Sequence, residues 1–538
     1  MGEIMNKAAS TIKAVCGLAL ALTLVAAMPA QSAPKPIAAR LTDYVEMPLT
    51  GNFSVRDTRS QPARINFLVE EPNHGRLFVS DSSGPLYILD KKTHQPTVYL
   101  NFDGSGSGKG LFPTFLADGS YASGLLGFTF DPDYERNGIF YTIHLEDAAS
   151  TASSLPKAGV IPGLDVSKYV PTKSVVTPAG SYSITREAVL IEWTDKNIGD
   201  TKFEGTAREV MRVQLLNGIH PMDDLTFNPT ARRGDPDWRV LYVSTGDGGT
   251  GETDDVRRLN PQRLDHFGGK IIRIIPDLKE HVSSSEVSEN RQYRIPNDNP
   301  FFSTPGARKE IWAYGMRNPH RMAWDIESPH QANLLAFVIG ANGGNPVRYE
   351  TVDVIRRGAN YGYPLREGPE FRPEHKIYGS LAADKSLPLR ITDTVVLSER
   401  VPMQDSALAY KTTVEGNAIA GGFVYRGTKW PALQGSLVFG DITSGRIFYA
   451  KVADLITATD GDPTTLAPYT EIKTDLPQVA LDRARVRVPQ PSAAPAPGAA
   501  APPPRPLRID LRLATDSDGE IYVMTKSDGV IRRIESLE

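Results

Sequence analysis

The 538-residue chain has a single cysteine, Cys16, and it lies inside the first apolar stretch. Beyond that stretch there is no thiol. This excludes disulfides, a thiolate nucleophile, a Cys-ligated metal and a haem-attachment pair. Long hydrophobic runs are also missing: Val15 to Ala27 is the most apolar segment and is short for a membrane span. A large excess of one charge is absent too. With a formal net charge of −4, neither nucleic acid nor an anionic membrane surface is expected as the main partner. Convincing amphipathic helical stretches are few, whereas Gly (46) and Pro (42) are plentiful, which points to many turns.

The N-terminus reads as an address. Lys7 and Lys13 precede the apolar run, and small residues near Ala30 to Ala33 offer cleavage sites. Residues 1–33 are expected to be a signal peptide and the chain to be periplasmic or secreted; an uncleaved anchor is the alternative. Cys16 stands at the start of the apolar run, the wrong place for a lipid-anchored cysteine. An exported chain without disulfides suits a bacterial periplasm.

What is abundant is a short β run, a Gly- or Asp-containing turn, and another β run. Arg76 to Asp90 shows it first. Gly138 to Leu145 pairs plausibly with Ala188 to Trp193, and RVLYVSTGDGG is followed by GKIIRII. MAWDIE, LLAFVIG and YETVDVI follow one another, then GGFVYRG, GSLVFGD and GRIFYAKV, then GEIYVMTKSDGVIRRI. These are roughly six hairpin-rich units without a strict period. The expected fold is all-β, a six-bladed β-propeller over residues 34–538; a pair of β-sandwiches is the duller alternative. Two stretches read as inserted loops. One, about 146–183, is rich in Ser, Ala, Pro and Gly. The other, about 488–506, is of low complexity and is placed inside the last blade.

SGLLGFTFDPDY, YVSTGDGG, GGKIIRI, IPNDNPF, EIWAYGMRNPHRMAWD, ANYGYP and GGFVYRG occur in that order and cover roughly Arg64 to Ile534. The ordered set resembles the soluble glucose/sorbosone dehydrogenase family. That resemblance implies a six-bladed propeller binding pyrroloquinoline quinone (PQQ) and calcium, and oxidising sugars. Such chemistry needs a base for the substrate hydroxyl proton, cations for the quinone and carboxylate oxygens, and a hard Lewis acid.

The resemblance places His220 as the base and Asp247, in the GD turn, as the residue that orients it; read without it, His220 is a turn histidine before Pro221. It places Arg317 and Asn318 on the cofactor, where a planar guanidinium suits carboxylate oxygens; a surface salt bridge with a turn asparagine is the bland reading. No role is assigned to His320 or Arg321. Arg508 and Arg512 match cofactor arginines, and a basic edge strand fits them equally. Calcium is expected on the carbonyls of Asn345 and Pro346, with Glu350 the nearby acid. Asp254 and Asp255 read as a solvated acidic turn.

Three departures weigh on substrate and cofactor. Ala122 stands where family members active on glucose carry glutamine, and Thr443 where they carry lysine. His-Pro-Met-Asp replaces a glycine-rich segment after the base. Glucose itself is therefore not the expected substrate. The leading expectation is a PQQ- and Ca²⁺-dependent dehydrogenase of aldoses or related alcohols that passes electrons to a soluble acceptor, a cytochrome being one candidate. The alternatives are a cofactor-less propeller acting as an extracellular binding module and a Ca²⁺-dependent lactonase-type hydrolase. Met222, or the 146–183 loop, filling the pocket would favour the binding module.

Overall fold

Asp81-Ser-Ser-Gly84 reverses the chain between the strands Arg76–Asp81 and Pro85–Asp90. Gly84 sits at φ 124°, where a Cβ would lie 2.8 Å from the Asp103 nitrogen. The same device recurs along the molecule, and every hairpin expected from the sequence forms with antiparallel register. The computed structural model describes residues 32–51, 61–72, 75–118, 123–178, 180, 183–253, 255–328, 331–341, 348–372, 385–487 and 508–538.

The strands assemble into antiparallel quartets in chain order. Ile65–Glu70, Arg76–Asp81, Pro85–Asp90 and Pro96–Asn101 form one. Leu125–Phe130, Ile139–Asp147, Arg186–Asp195 and Glu204–Leu215 form the next. Met222–Phe227, Leu241–Thr245, Lys270–Ile274 and Ile311–Tyr314 follow, then Asn318–Ser328, Gln331–Ile339, Tyr349–Ile355 and Leu408–Lys411. Ile419–Tyr425, Ser436–Asp441, Ile447–Lys451 and Tyr469–Lys473 come next. Leu511–Thr515, Ile521–Thr525 and Val530–Leu537 are completed by the N-terminal strand Ile37–Glu46, which also runs parallel to Tyr469–Lys473.

Apolar residues on facing sheets form the cores between successive quartets. Phe78 and Ile88 pack with Phe128 and Phe140; Tyr141 and Ile143 pack with Leu225 and Val243. Tyr44, Leu68 and Tyr87 share a core with Tyr522 and Met524, so the first sheet packs on the last and the ring closes. The arrangement is all-β and propeller-like. The first strands of neighbouring sheets touch one another around the axis.

Five of those first strands share an irregularity. Register shifts fall between Ile65 and Phe67, Leu125 and Gly127, Met222 and Asp224, Pro319 and Arg321, and Ile419 and Gly421. Each is a β-bulge, whose extra residue leaves the ladder and is re-aimed. The extra residues are Asn66, Leu126, Asp223, His320 and Ala420, all buried.

One expectation changes. The 146–183 stretch is more than a loop: Gly163–Asp165 adds a parallel strand beside Glu204–Leu215, Leu164 and Tyr169 are buried, and the Tyr169 hydroxyl donates to Glu209 at 3.1 Å. Sparse apolar anchors inside Ser- and Pro-rich sequence gave no periodic signal. The 488–506 segment lies outside the described residues. The helix Leu476–Arg487 precedes it, and the strands Leu511–Thr515, Ile521–Thr525 and Val530–Leu537 follow it. The N-terminal strand that completes them escaped the sequence reading because its partner lies at the other end of the chain. Among the described residues no helix is long and apolar enough to cross a membrane.

Candidate functional site

His220 stands just before the strand Met222–Phe227, in the left-handed region at φ 53°, a conformation a non-glycine residue keeps only when its surroundings impose it. Its carbonyl accepts from Gly248 N–H at 3.0 Å, and the Pro221 carbonyl accepts from Gly246 N–H at 2.8 Å. These bonds tie it to the turn after Leu241–Thr245, which carries Asp247. His220 Nδ1 donates to Asp247 Oδ1 at 2.6 Å. Asp247, fully buried, also accepts from Gly249 and Gly251 N–H, each at 2.8 Å. Burial pushes its carboxyl up, but the His220 imidazole, its hydrogen bond and Arg317 outweigh that, and the net shift is downward. Asp247 therefore fixes the proton on Nδ1 and leaves Nε2 as the free basic nitrogen.

The same turn reaches Arg317, whose carbonyl accepts from Asp247 N–H at 2.8 Å. Arg317 is 2% exposed and donates through Nη1 to the carbonyls of Ile339 (3.3 Å) and Gly340. Asn318 opens the next sheet, and its buried Oδ1 has no hydrogen-bond partner among the described residues. Gly246 must be glycine, because a Cβ there would lie 2.6 Å from both Asn318 Oδ1 and His220 Cβ.

His220, Arg317, Asn318, Arg508 and Arg512 all line one cavity of about 790 Å³, its open mouth included. Asp247 stands behind His220. Arg508 is paired with Asp510 at 2.9 Å, and Arg512 donates to Asn66 Oδ1 (3.2 Å) and the Leu511 carbonyl (2.8 Å). Burial, reinforced by the nearby Arg321, lowers the Arg512 guanidinium to about 9. Arg512 is a buried member of the strand Leu511–Thr515, not a solvated edge cation.

Other expected residues fall elsewhere. Glu350 is buried but does not line the cavity: its oxygens accept from Thr412 Oγ1 (3.1 Å), Gly340 N–H (3.2 Å) and Ile419 N–H (3.0 Å). Burial raises it to about 7. It holds the N–H of the peptide whose Ile339 carbonyl accepts from Arg317. Asn345, Pro346 and Ala122 lie outside the described residues. Thr443 lines the cavity, with its hydroxyl on Asp441 at 2.9 Å. Met222 does not fill the pocket: it is a core residue of its strand, and no described residue of 146–183 lines the cavity. Among the described residues the only three carboxylates close enough to share a cation are Glu70, Asp516 and Asp518, and Lys91 Nζ sits on all three, at 2.8, 2.9 and 2.8 Å.

The sequence reading missed Asp223 and His320, which also line the cavity. Both are bulge residues, so strand alternation gives no hint that they face it. Their places, three after His220 and two after Asn318, were the available signal.

Residues 231–464 match the family model for glucose/sorbosone dehydrogenase. That likeness to the family covers less than half of the chain. HIPL1 protein of Arabidopsis thaliana is 25% identical over 390 residues, 70% of this chain and 51% of that protein. Hedgehog-interacting protein of Homo sapiens is 24% identical over 378 residues, 68% of this chain and 40% of its own length. The chain thus spans about half the length, or less, of these curated relatives. The aldose sugar dehydrogenase of Escherichia coli is 35% identical over 109 residues, 20% of this chain and 23% of that enzyme. The crystal structure of its soluble apo-form superposes with a TM-score of 0.52 at 18% identity, covering 90% of this chain and 98% of the other, a likeness of fold.

Proposed function

We propose that residues 34–538 form a six-bladed propeller that acts, after export to the periplasm or medium, as a PQQ- and Ca²⁺-dependent dehydrogenase of aldoses or related alcohols. The observation that carries this is the convergence of His220, Arg317, Asn318, Arg508 and Arg512 on one cavity. The cationic lining fits a flat tricarboxylate: Arg317, Arg508 and Arg512 all line the space. When bound, PQQ supplies the quinone carbon that takes the hydride. Arg317, Arg508 and Arg512 would hold its oxygens. His220 Nε2 would take the hydroxyl proton of the substrate, Asp247 holding Nδ1–H throughout. The carbonyls of Asn345 and Pro346 are assigned to Ca²⁺, since carbonyl oxygen suits a hard cation. A soluble acceptor, such as a cytochrome, would reoxidise the protein.

A second reading, a binding module without cofactor, is favoured by Thr443 in place of lysine and by the kinship with Hedgehog-interacting protein. Titration of the purified chain with PQQ, with and without Ca²⁺, followed by aldoses and an artificial electron acceptor, separates the two. Calcium-dependent saturation and reduction by a sugar support the enzyme. No binding at micromolar PQQ overturns it.

A further inference from the structure

A second imidazole faces the cavity and has no place in the scheme above. His320 and Asp223 are the bulge residues of adjacent first strands, Asn318–Ser328 and Met222–Phe227. The extra residue in each strand turns its side chain out of the ladder. His320 Nδ1 meets Asp223 Oδ2 at 3.0 Å, and both side chains line the cavity with His220. His320 is 8% exposed, and its buried Nε2 has no hydrogen-bond partner among the described residues. An orphaned ring nitrogen costs free energy in an empty protein and is recovered by a ligand group that fits it.

The carboxylate of Asp223 only accepts, so the proton on His320 sits on Nδ1 and Nε2 carries a lone pair. Arg321 Nη1 lies 3.5 Å from the same Nδ1, but its short bond is to the His320 carbonyl at 2.7 Å, so Asp223 sets the tautomer. Burial, with Arg321, Arg512, Lys526 and His220 around the ring, keeps His320 neutral. Arg321 itself is held away from the ligand by Asn66 Oδ1 at 3.2 Å and by the Phe67 ring, 4.1 Å below it.

We infer that His320 is a substrate-binding residue, with Asp223 its positioning residue: its Nε2 accepts a hydrogen bond from a second hydroxyl of the ligand whose first hydroxyl meets His220. The inference rests on the sugar-binding reading of this cavity and narrows it. The substrate class is polyhydroxylated, with two donor hydroxyls on one face, and monohydric alcohols are poor ligands. Two fixed acceptors reject a ligand that lacks either donor, because the unfilled nitrogen stays buried and unpaired.

The test has two arms. In the first, the cofactor-free chain is titrated with D-xylose and D-galactose, and separately with 1-propanol, while imidazole ¹⁵N signals are followed; His320→Gln assigns the His320 pair. The Nε2 signal of His320 is expected to shift on saturation with sugar and to stay still with 1-propanol. In Asp223→Asn it is expected to start from a different position, since an amide no longer dictates the tautomer. In the second arm, PQQ- and Ca²⁺-loaded protein is assayed on the same sugars. His320→Leu is expected to raise KM roughly tenfold, with the loss falling on KM rather than kcat, and His320→Gln to recover most of it through its amide oxygen. A shifted Nε2 signal in a protein that oxidises no sugar would sink the dehydrogenase reading and keep this one. An unmoved signal, or sugar oxidation with KM unchanged in His320→Leu, would overturn the role of His320 and leave the dehydrogenase reading standing. Identical Nε2 positions in wild type and Asp223→Asn would overturn the role of Asp223.

Discussion

Two imidazole–carboxylate pairs border one cavity, and they are held differently. Asp247 sits in a glycine-rich turn and accepts two backbone N–H groups besides His220 Nδ1. Asp223 sits on a bulge, and burial raises it to about 6 against the pull of Arg321, His220 and Arg512. The first carboxylate is solvated by the backbone and stays charged; the second depends on distant cations. A pair built for proton transfer needs a carboxylate that never leaves its charged state, whereas a pair that only orients an acceptor tolerates one that titrates.

The largest effect is expected at the first pair. His220→Ala should lower sugar oxidation about 10²- to 10⁴-fold, the usual contribution of a positioned general base. Steady-state kinetics on PQQ-loaded protein measures it, and full activity in this variant removes His220 from catalysis. The contrast sharpens if the loss appears in kcat, since the expected loss at His320 lies in KM.

Next comes the wall that the pairs share. Arg317→Met leaves the carbonyls of Ile339 and Gly340 without their charged donor, and the peptide of the Ile339 carbonyl is the one whose N–H Glu350 holds. The expected cost is about 2–3 kcal/mol in a denaturant melt, with weakened PQQ binding besides. Unchanged stability would mean that the guanidinium is not the brace described.

The pH dependence separates the pairs directly. Asp223 is raised from 3.8 to about 6, so the folded chain holds that proton more tightly than the unfolded chain does. Its contribution to stability is full at low pH and is lost as pH rises through about 6. Asp247 is lowered, so its contribution is present above its ordinary range and is lost as pH falls. Between pH 8 and 5 the Asp223 trend opposes that of Asp247 and is worth about 1.4 kcal/mol, and Asp224, Asp353 and Glu350 act in the same direction as Asp223. Urea melts of Asp223→Asn at pH 5 and 8 should therefore differ less than those of the wild type. An equal or larger difference would show that Asp223 ionises freely.

The same contrast explains what could be read from the sequence. The hairpins were legible because alternation and turn residues are local. His220, Asp247, Arg317 and Asn318 stood in motifs, and Arg508 and Arg512 in a recognisable run. Asp223 and His320 were not legible, because a bulge is a break in the pattern that reveals which face a strand buries. Neither was the strand Ile37–Glu46, whose register is set by Val530–Leu537 at the far end of the chain. The burial of Leu164 and Tyr169 inside a Ser- and Pro-rich stretch escaped for a related reason: two anchors make no period.

The smallest expected effect tests the charge of the cavity itself. Thr443 faces the space beside Arg508, and its carbonyl accepts from Ile509 N–H at 3.1 Å. Its hydroxyl shares Asp441 Oδ1 with Ser444, whose own hydroxyl lies at 2.8 Å, so Asp441 does not depend on it. Thr443→Lys therefore adds a cation to the wall at a cost of about 1 kcal/mol for the lost hydrogen bond. If the cavity takes a tricarboxylate, the new ammonium should tighten PQQ roughly fivefold, about 1 kcal/mol, and the gain should shrink as salt rises from 0.05 to about 0.5 M. Fluorescence-quench titrations at the two salt concentrations read this directly. Weaker binding in Thr443→Lys, or a gain indifferent to salt, would mean that the three arginines of the cavity serve the fold and not an anionic ligand. The His220 pair would then be left facing a space built for something neutral.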